Sequence, residues 1–515
     1  MSQVEAAADL SPSSHAAAQG SRLSRRGLLT GAIAAVWAAA PKARAAQPND
    51  VPADVDPGSL LTRLVRRCTF GPTPADLTLA ASLGYHAYLE YQLNYQAIDD
   101  SACDARLANL TTLTMTQQQQ YAIAASQLSN ELTEATILRA VFSQRQLYER
   151  MVEFWTDHFS IDITKDVTNM LKSIDDRNVI RAHALGNFGD LLRASAHSPA
   201  MLTYLDNHTS TATAPNENYA RELMELHSLG VDGGYTQEDV LQVCRCFSGW
   251  SYDSNSTVGN PPVPNPARGN FRYISGRHYN GAKTVFAGTP YQLNIPAGGG
   301  QQDGETVLNA LIAHPNTARY VGMKMARWLL REDPSEALID AVAAAYTATN
   351  GDIKSMIRVI LRPNNLAAAP LKYKRPFHLV ASALRALPCT VTATSGLRTQ
   401  LNNCGHRPFY WGTPDGYPDS LLYWQGLILP RWNFGASLMH TSPITGVSVD
   451  FNTFFAGLTT AQQHADKLDQ TLFAGEMHPA DKAALVAFLG AGTVSSTKKR
   501  ESIGVAIAAP GFQWY

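Results

Sequence analysis

Residues 215–234 read PNENYARELMELHSLGVDGG, and their spacing decides the fold class. On a 3.6-residue period Glu217, Arg221 and Glu225 fall at i, i+4 and i+8 with Asn218 and Glu222 on the flank, while Tyr219, Leu223 and Leu226 make an apolar stripe opposite. That is a helix with one face toward a core. Asn216 is placed to cap it, Gly230 to end it, and Asp232-Gly233-Gly234 to turn the chain. Thr236, with Asp239 three residues on, reads as the capping box of a second helix, so the segment predicts a helical hairpin.

The same periodicity runs through most of the chain. It begins at Leu60, Leu61, Leu64 and Val65, resumes in residues 74–94, and continues from Gln117 through Leu132, Ile137, Val141, Leu147 and Met151 into EFWTDHFSI, residues 153–161. Residues 177–196 predict a further helix ended by His197-Ser198-Pro199, and helical spacing returns over 304–331, 335–361 and 372–387. Between 251 and 300 the composition shifts to Gly, Pro, Asn and Ser. Two β-prone runs there, 271–274 and 283–286, are joined by His278-Tyr279-Asn280-Gly281 and predict a β-hairpin on an Asn-Gly turn. The expected architecture is mainly α: one large multi-helix domain over 58–515 with a small β-hairpin insertion at about 251–300.

The first 45 residues stand apart. Ser24-Arg25-Arg26-Gly27-Leu28-Leu29 precedes an uncharged Ala-rich run to Ala40 and then Ala43-Arg44-Ala45, the pattern of a twin-arginine signal peptide, with a polar linker over 46–57. The apolar run is 14 residues, short of the roughly 20 needed to cross a bilayer. The expectation is a periplasmic or secreted protein with no stable membrane span after cleavage. Losing residues 1–45 removes five basic and two acidic residues, taking the formal charge from −1 to −4, and an acidic body argues against a nucleic-acid partner. Of the six cysteines, Cys389 and Cys404 bracket a Ser/Thr/Asn-rich segment and are the expected disulfide in an exported chain.

The dense polar face of the opening helix suits a structural ion-pair ladder, a metal site or an acid/base pair. As a ladder, Glu217 and Glu225 bracket Arg221. As a metal site, Glu222 and Glu225 join His158 and Asp157 of the WTDHF stretch, a carboxylate and imidazole set suited to a divalent transition metal such as zinc, iron or manganese, although no HExxH or di-iron spacing is present. As an acid/base pair, Glu217, Glu222, Asp206 and Asp415 are the candidate carboxylates for hydrolysis, with Arg221 beside them. The aromatic segment PFYWGTPDGYPDSLLYWQGLILPRWNF, residues 408–434, then offers Trp411, Tyr417 and Trp424 as a substrate platform, and His278 and Lys283 reach in as a polar flap.

Taken in order, FWTDHFSI, RAHALGNFGDLL, HSPAMLTYLDN, the opening segment, HYNGAKTVFAG, AHPNTARYVGMKM, KRPFHLV, TPDGYPD and the closing APGFQWY resemble the bacterial family catalogued as domain of unknown function 1800, from about Leu60 to Tyr515. The resemblance implies a mostly helical exported protein and carries no general activity. It also implies a protein partner, since such chains are often encoded beside an exported family, domain of unknown function 1501, that resembles sulfatases. The reading of function is therefore a hydrolase-type enzyme with a carboxylate and histidine cleft, or else a noncatalytic envelope assembly partner, or a glycan-binding protein.

Overall fold

A computed structural model describes residues 60–259, 261–440 and 443–515, so the signal peptide and the linker fall outside the described residues. The chain is mainly α, with strands confined to four two-stranded antiparallel sheets. The helices that frame the site are α1 (Ala125–Phe142), α2 (Gln146–His158), α3 (Asn218–Glu225), α4 (Gln237–Phe247), α5 (Gln302–Ala313), α6 (Pro315–Leu329) and α7 (Pro376–Ala386). No helix among the described residues is long and apolar enough to cross a membrane.

Local chemistry explains the boundaries. The α3–α4 hairpin forms as its sequence requires: Tyr219, Ala220, Leu223 and Met224 are buried, and the capping box closes on α4, with Asp239 Oδ2 accepting from the Thr236 backbone N–H at 2.7 Å. The first helix is shorter than its apolar pattern, ending at Glu225, with Gly230 at φ +85 in the turn that follows. The long run from Gln117 to His158 is broken into three helices. Ser143 takes extended φ and ψ, its hydroxyl bonds Asp100 at 2.7 Å, and the break lets α2 turn away from α1. Residues 176–181 form a π-helical turn and the next helix begins only at Phe188, capped by Asn187, so the expected continuous helix over 177–196 is two pieces.

The expected hairpin is replaced by different pairings. The strands are β1 (Trp250–Tyr252), β2 (Thr257–Val258), β3 (Val263–Pro264), β4 (Phe271–Tyr273), β5 (Lys283–Val285), β6 (Leu293–Ile295), β7 (Cys389–Val391) and β8 (Val447–Val449). β4 pairs with β1 in the register Trp250–Tyr273, and β5 pairs with β6 in the register Lys283–Ile295. A short 3₁₀ turn at Ser275–Arg277 carries β4 away from β5, so Asn280-Gly281 does not close a hairpin.

Two large apolar clusters hold the fold. One gathers Trp155, Phe188, Tyr219, Phe247, Trp250 and the inner face of α6; the other gathers α1, α7 and the C-terminal third, including Phe434, Ile503 and Phe512. Arg150 and Phe70 meet where they join, and the last residue is stitched into the body: the Tyr515 backbone N–H donates to Lys372 and its carbonyl accepts from Lys372 N–H and from Arg67.

Candidate functional site

On α2, Arg150, Glu153 and Asp157 fall at i, i+3 and i+7, a stripe of charge on a helix whose other sides are buried. A helix can bury such a stripe only against partners. Arg375, at the start of α7 and 4% exposed, supplies one: its Nη2 donates to Asp157 Oδ2 at 2.5 Å and lies 3.6 Å from Glu153 Oε1. Arg150 bonds Glu153 at 3.2 Å and the Tyr515 hydroxyl at 3.0 Å. Burial dominates the carboxylates: it pushes Glu153 up to about 7 and raises Asp157, against the pull of Arg375 in both. A cavity lined by Glu153, Asp157, Arg375, His406, Phe377 and Tyr417 lies against this network.

The TPDGYPD loop docks on the end of α2. Gly416 sits at φ +75, and a Cβ there would fall 2.1 Å from the carbonyl oxygen of Asp157, so only glycine allows the approach. Docking brings Asp415 to the cleft, where its Oδ1 accepts from Trp411 Nε1 at 2.9 Å and from Thr413 Oγ1 at 2.5 Å. On the opposite wall, Gly230 at φ +85 lets the turn after α3 rest on the Tyr320 ring of α6, 2.8 Å from where its Cβ would be. Glu222 thereby comes within electrostatic reach of Asp415. It is half-buried, and burial raises its pKa first, followed by the charge of Glu225, with Arg221 opposing and Asp415 adding to the rise.

Lys324 of α6 stands in the same cleft. It is half-buried, overhangs the Tyr320 ring at 5.6 Å, and burial lowers it to about 8, with Asp157 holding it up and Arg327 pressing it down. Sequence reasoning missed Lys324, Glu153 and Arg375. The i, i+4 pair Glu153 and Asp157 in EFWTDHF was a readable signal for the second of these; Lys324 gave none, because its surroundings come from four separate segments.

The metal reading is corrected. Among the described residues no group of three or more His, Cys, Asp and Glu side chains comes together as a metal ion needs. His158 is walled by Trp155, Phe159 and Phe188, its Nε2 meets the His227 carbonyl at 3.2 Å, and burial drives its pKa well down. Asp157 is taken by Arg375, Glu222 faces Asp415, and Glu225 accepts from the Tyr235 hydroxyl. His227 is buried as well, its pKa pressed down to about 3.

Half of the ladder exists. Arg221 bonds Glu217 at 3.1 Å and Gln237 at 2.8 Å, and at 38% and 34% side-chain exposure the ion pair contributes only about 0.3–0.5 kcal/mol. Glu217 is thus occupied on the surface. Asp206, at φ +60, pairs with Lys165 at 2.8 Å.

The flap reading is corrected too. His278 and Lys283 are buried, both donating to Asp303 of α5, so neither reaches a cleft. Of the aromatic platform, Tyr417 bonds the Arg407 carbonyl through its hydroxyl and packs on His406, while Trp424, 1% exposed, donates to Pro418 O at 2.7 Å. Both rings are core. Trp411 stays half-exposed beside Tyr423, which sequence reasoning passed over. Cys389 and Cys404 are free thiols rather than a disulfide: Cys389 Sγ bonds the Leu384 carbonyl, and Cys404 is buried at the end of its own helix.

Neither the curated proteins nor the solved structures yielded a match. The family comparison did: the model described as a protein of unknown function (DUF1800) matches residues 63–514, which takes in every wall of the cleft, and the chain belongs to that family.

Proposed function

We propose that the chain is an exported enzyme of hydrolase type, working outside the cytoplasm, with Glu222 as general acid and Asp415 as the carboxylate that activates water. One observation carries this reading: α3 and the TPDGYPD loop bring two carboxylates into one cleft in different settings. Glu222 is half-buried and raised, suited to hold a proton near neutral pH, while Asp415 is fixed by two hydrogen bonds from Trp411 and Thr413. The half-exposed Trp411 and exposed Tyr423 beside Asp415 offer ring faces to a saccharide or another polar substrate with a flat apolar side. The test is a panel of chromogenic glycosides, esters and amides, run with the wild type, Glu222→Gln and Asp415→Asn. Loss of turnover in both variants at unchanged folding supports the assignment, and full turnover in either overturns it.

A second reading, a noncatalytic partner of a sulfatase-like exported protein, draws on a different observation. Leu422, Tyr423, Ile428 and Leu429 are exposed within eight residues, the kind of apolar patch that marks a protein interface. Co-purification that survives Glu222→Gln and fails on Leu422→Asp with Leu429→Asp is the outcome this reading expects.

A further inference from the structure

Lys324 makes no hydrogen bond and no ion pair with any described residue, although it is half-buried among carboxylates. Other buried lysines differ. Lys172 bonds Asp175, Lys283 bonds Asp303, Lys372 bonds Asp419 and Lys374 bonds Ser382. The acidic neighbours of Lys324 are Asp157, Asp415 and Asp419, and each already accepts from another donor: Arg375, the Trp411 and Thr413 pair, and Lys372. Their charge surrounds the amine without engaging it. Arg327, one turn on, adds a like charge, and the Tyr320 ring forms the floor at 5.6 Å. An amine that is desolvated, beside another cation and free of partners meets the conditions under which a lysine becomes a nucleophile.

We propose that Lys324 is a covalent amine site, whose Nζ condenses with the carbonyl carbon of a small aldehyde or ketone to form an imine. The ammonium first gives one proton to Asp415, the carboxylate within reach, and the neutral nitrogen adds to the carbonyl carbon. Asp415 returns that proton to the carbonyl oxygen, so the adduct is an N-protonated carbinolamine. A second proton then passes from that nitrogen to the hydroxyl, the C–O bond breaks, and water leaves. The products are one protonated imine and one water from one ammonium and one carbonyl, with no change of oxidation state. This step goes beyond hydrolysis and does not require it. The lowered pKa of Lys324 supports it, since at pH 7 an amine at about 8 holds on the order of a hundredfold more neutral form than an ordinary lysine.

The experiment is reductive trapping of the full chain with glyceraldehyde and cyanoborohydride, read by peptide mass spectrometry. Lys324 is expected to label about tenfold faster than the exposed Lys467 at pH 7, with a rate that rises through about pH 8. Lys324→Arg keeps the charge and removes the fast phase. Equal labelling of Lys324 and Lys467, or a rate that rises only near pH 10, overturns the proposal, and the second readout needs no variant. Glu222→Gln separates the two readings: it leaves trapping intact while abolishing hydrolysis, so either assignment fails by its own signal.

Discussion

Replacing Arg375 with methionine keeps the length of the side chain and removes the cation that Asp157 and Glu153 share. The guanidinium is buried, its bond to Asp157 is 2.5 Å, and the two carboxylates are only 19% and 11% exposed, so neither regains water when it is lost. Glu153 keeps Arg150; Asp157 keeps no ion-pair partner among the described residues. Breaking one side of such a buried pair costs about 3–5 kcal/mol. The cost depends on pH with a definite sign. Without Arg375 both carboxyls rise further above their unfolded values, so the folded state binds protons that the unfolded state does not, and stability falls as pH rises. Urea unfolding followed by circular dichroism is expected to show the full loss at pH 7.5 and a smaller one at pH 5, where the carboxyls are protonated. Adding Asp157→Asn to the variant removes the uncompensated charge and recovers part of the loss. A penalty under about 1 kcal/mol, or one equal at both pH values, refutes the reasoning.

Other expectations are equally direct. In the wild type, Glu153 at about 7 binds a proton on folding between its unfolded value of about 4.3 and about 7, so Glu153→Gln flattens the fall of stability across that window in a pH series of unfolding midpoints. Gly416→Ala forces a Cβ against the Asp157 carbonyl at a positive φ and costs about 1–3 kcal/mol, with loss of any cleft activity, read by melting temperature and turnover together. Asp303→Asn leaves Lys283 without its carboxylate beside buried His278 and costs about 3–5 kcal/mol in the same urea assay. Thiol titration of the unreduced, unfolded chain is expected to find Cys389 and Cys404 both reactive; a disulfide between them contradicts the packing described here.

The helical character was legible because a buried face repeats every three to four residues, as in α3, and because Thr236 and Asp239 announce a cap by identity alone. Strand pairing was not legible. β4 has the composition to pair with β5, yet its partner is β1, and the choice is made by the packing of Trp250 against Phe247 and Phe271, which no local pattern records. Individual site residues divided the same way. Glu222 and Asp415 were visible as polar residues in dense motifs, whereas His158 looked like a ligand until its aromatic walls came from other parts of the chain. Lys324 carries no motif at all; what sets it apart is that Arg375, Trp411, Thr413 and Lys372 have already claimed its neighbours.

The acid role of Glu222 is the centre of the account, and turnover of the best substrate from the hydrolase panel by Glu222→Gln tests it most directly. The account predicts a fall in kcat of about 10²- to 10⁴-fold with the unfolding midpoint unchanged. Turnover within twofold of the wild type, by a protein folded to the same stability, would contradict it.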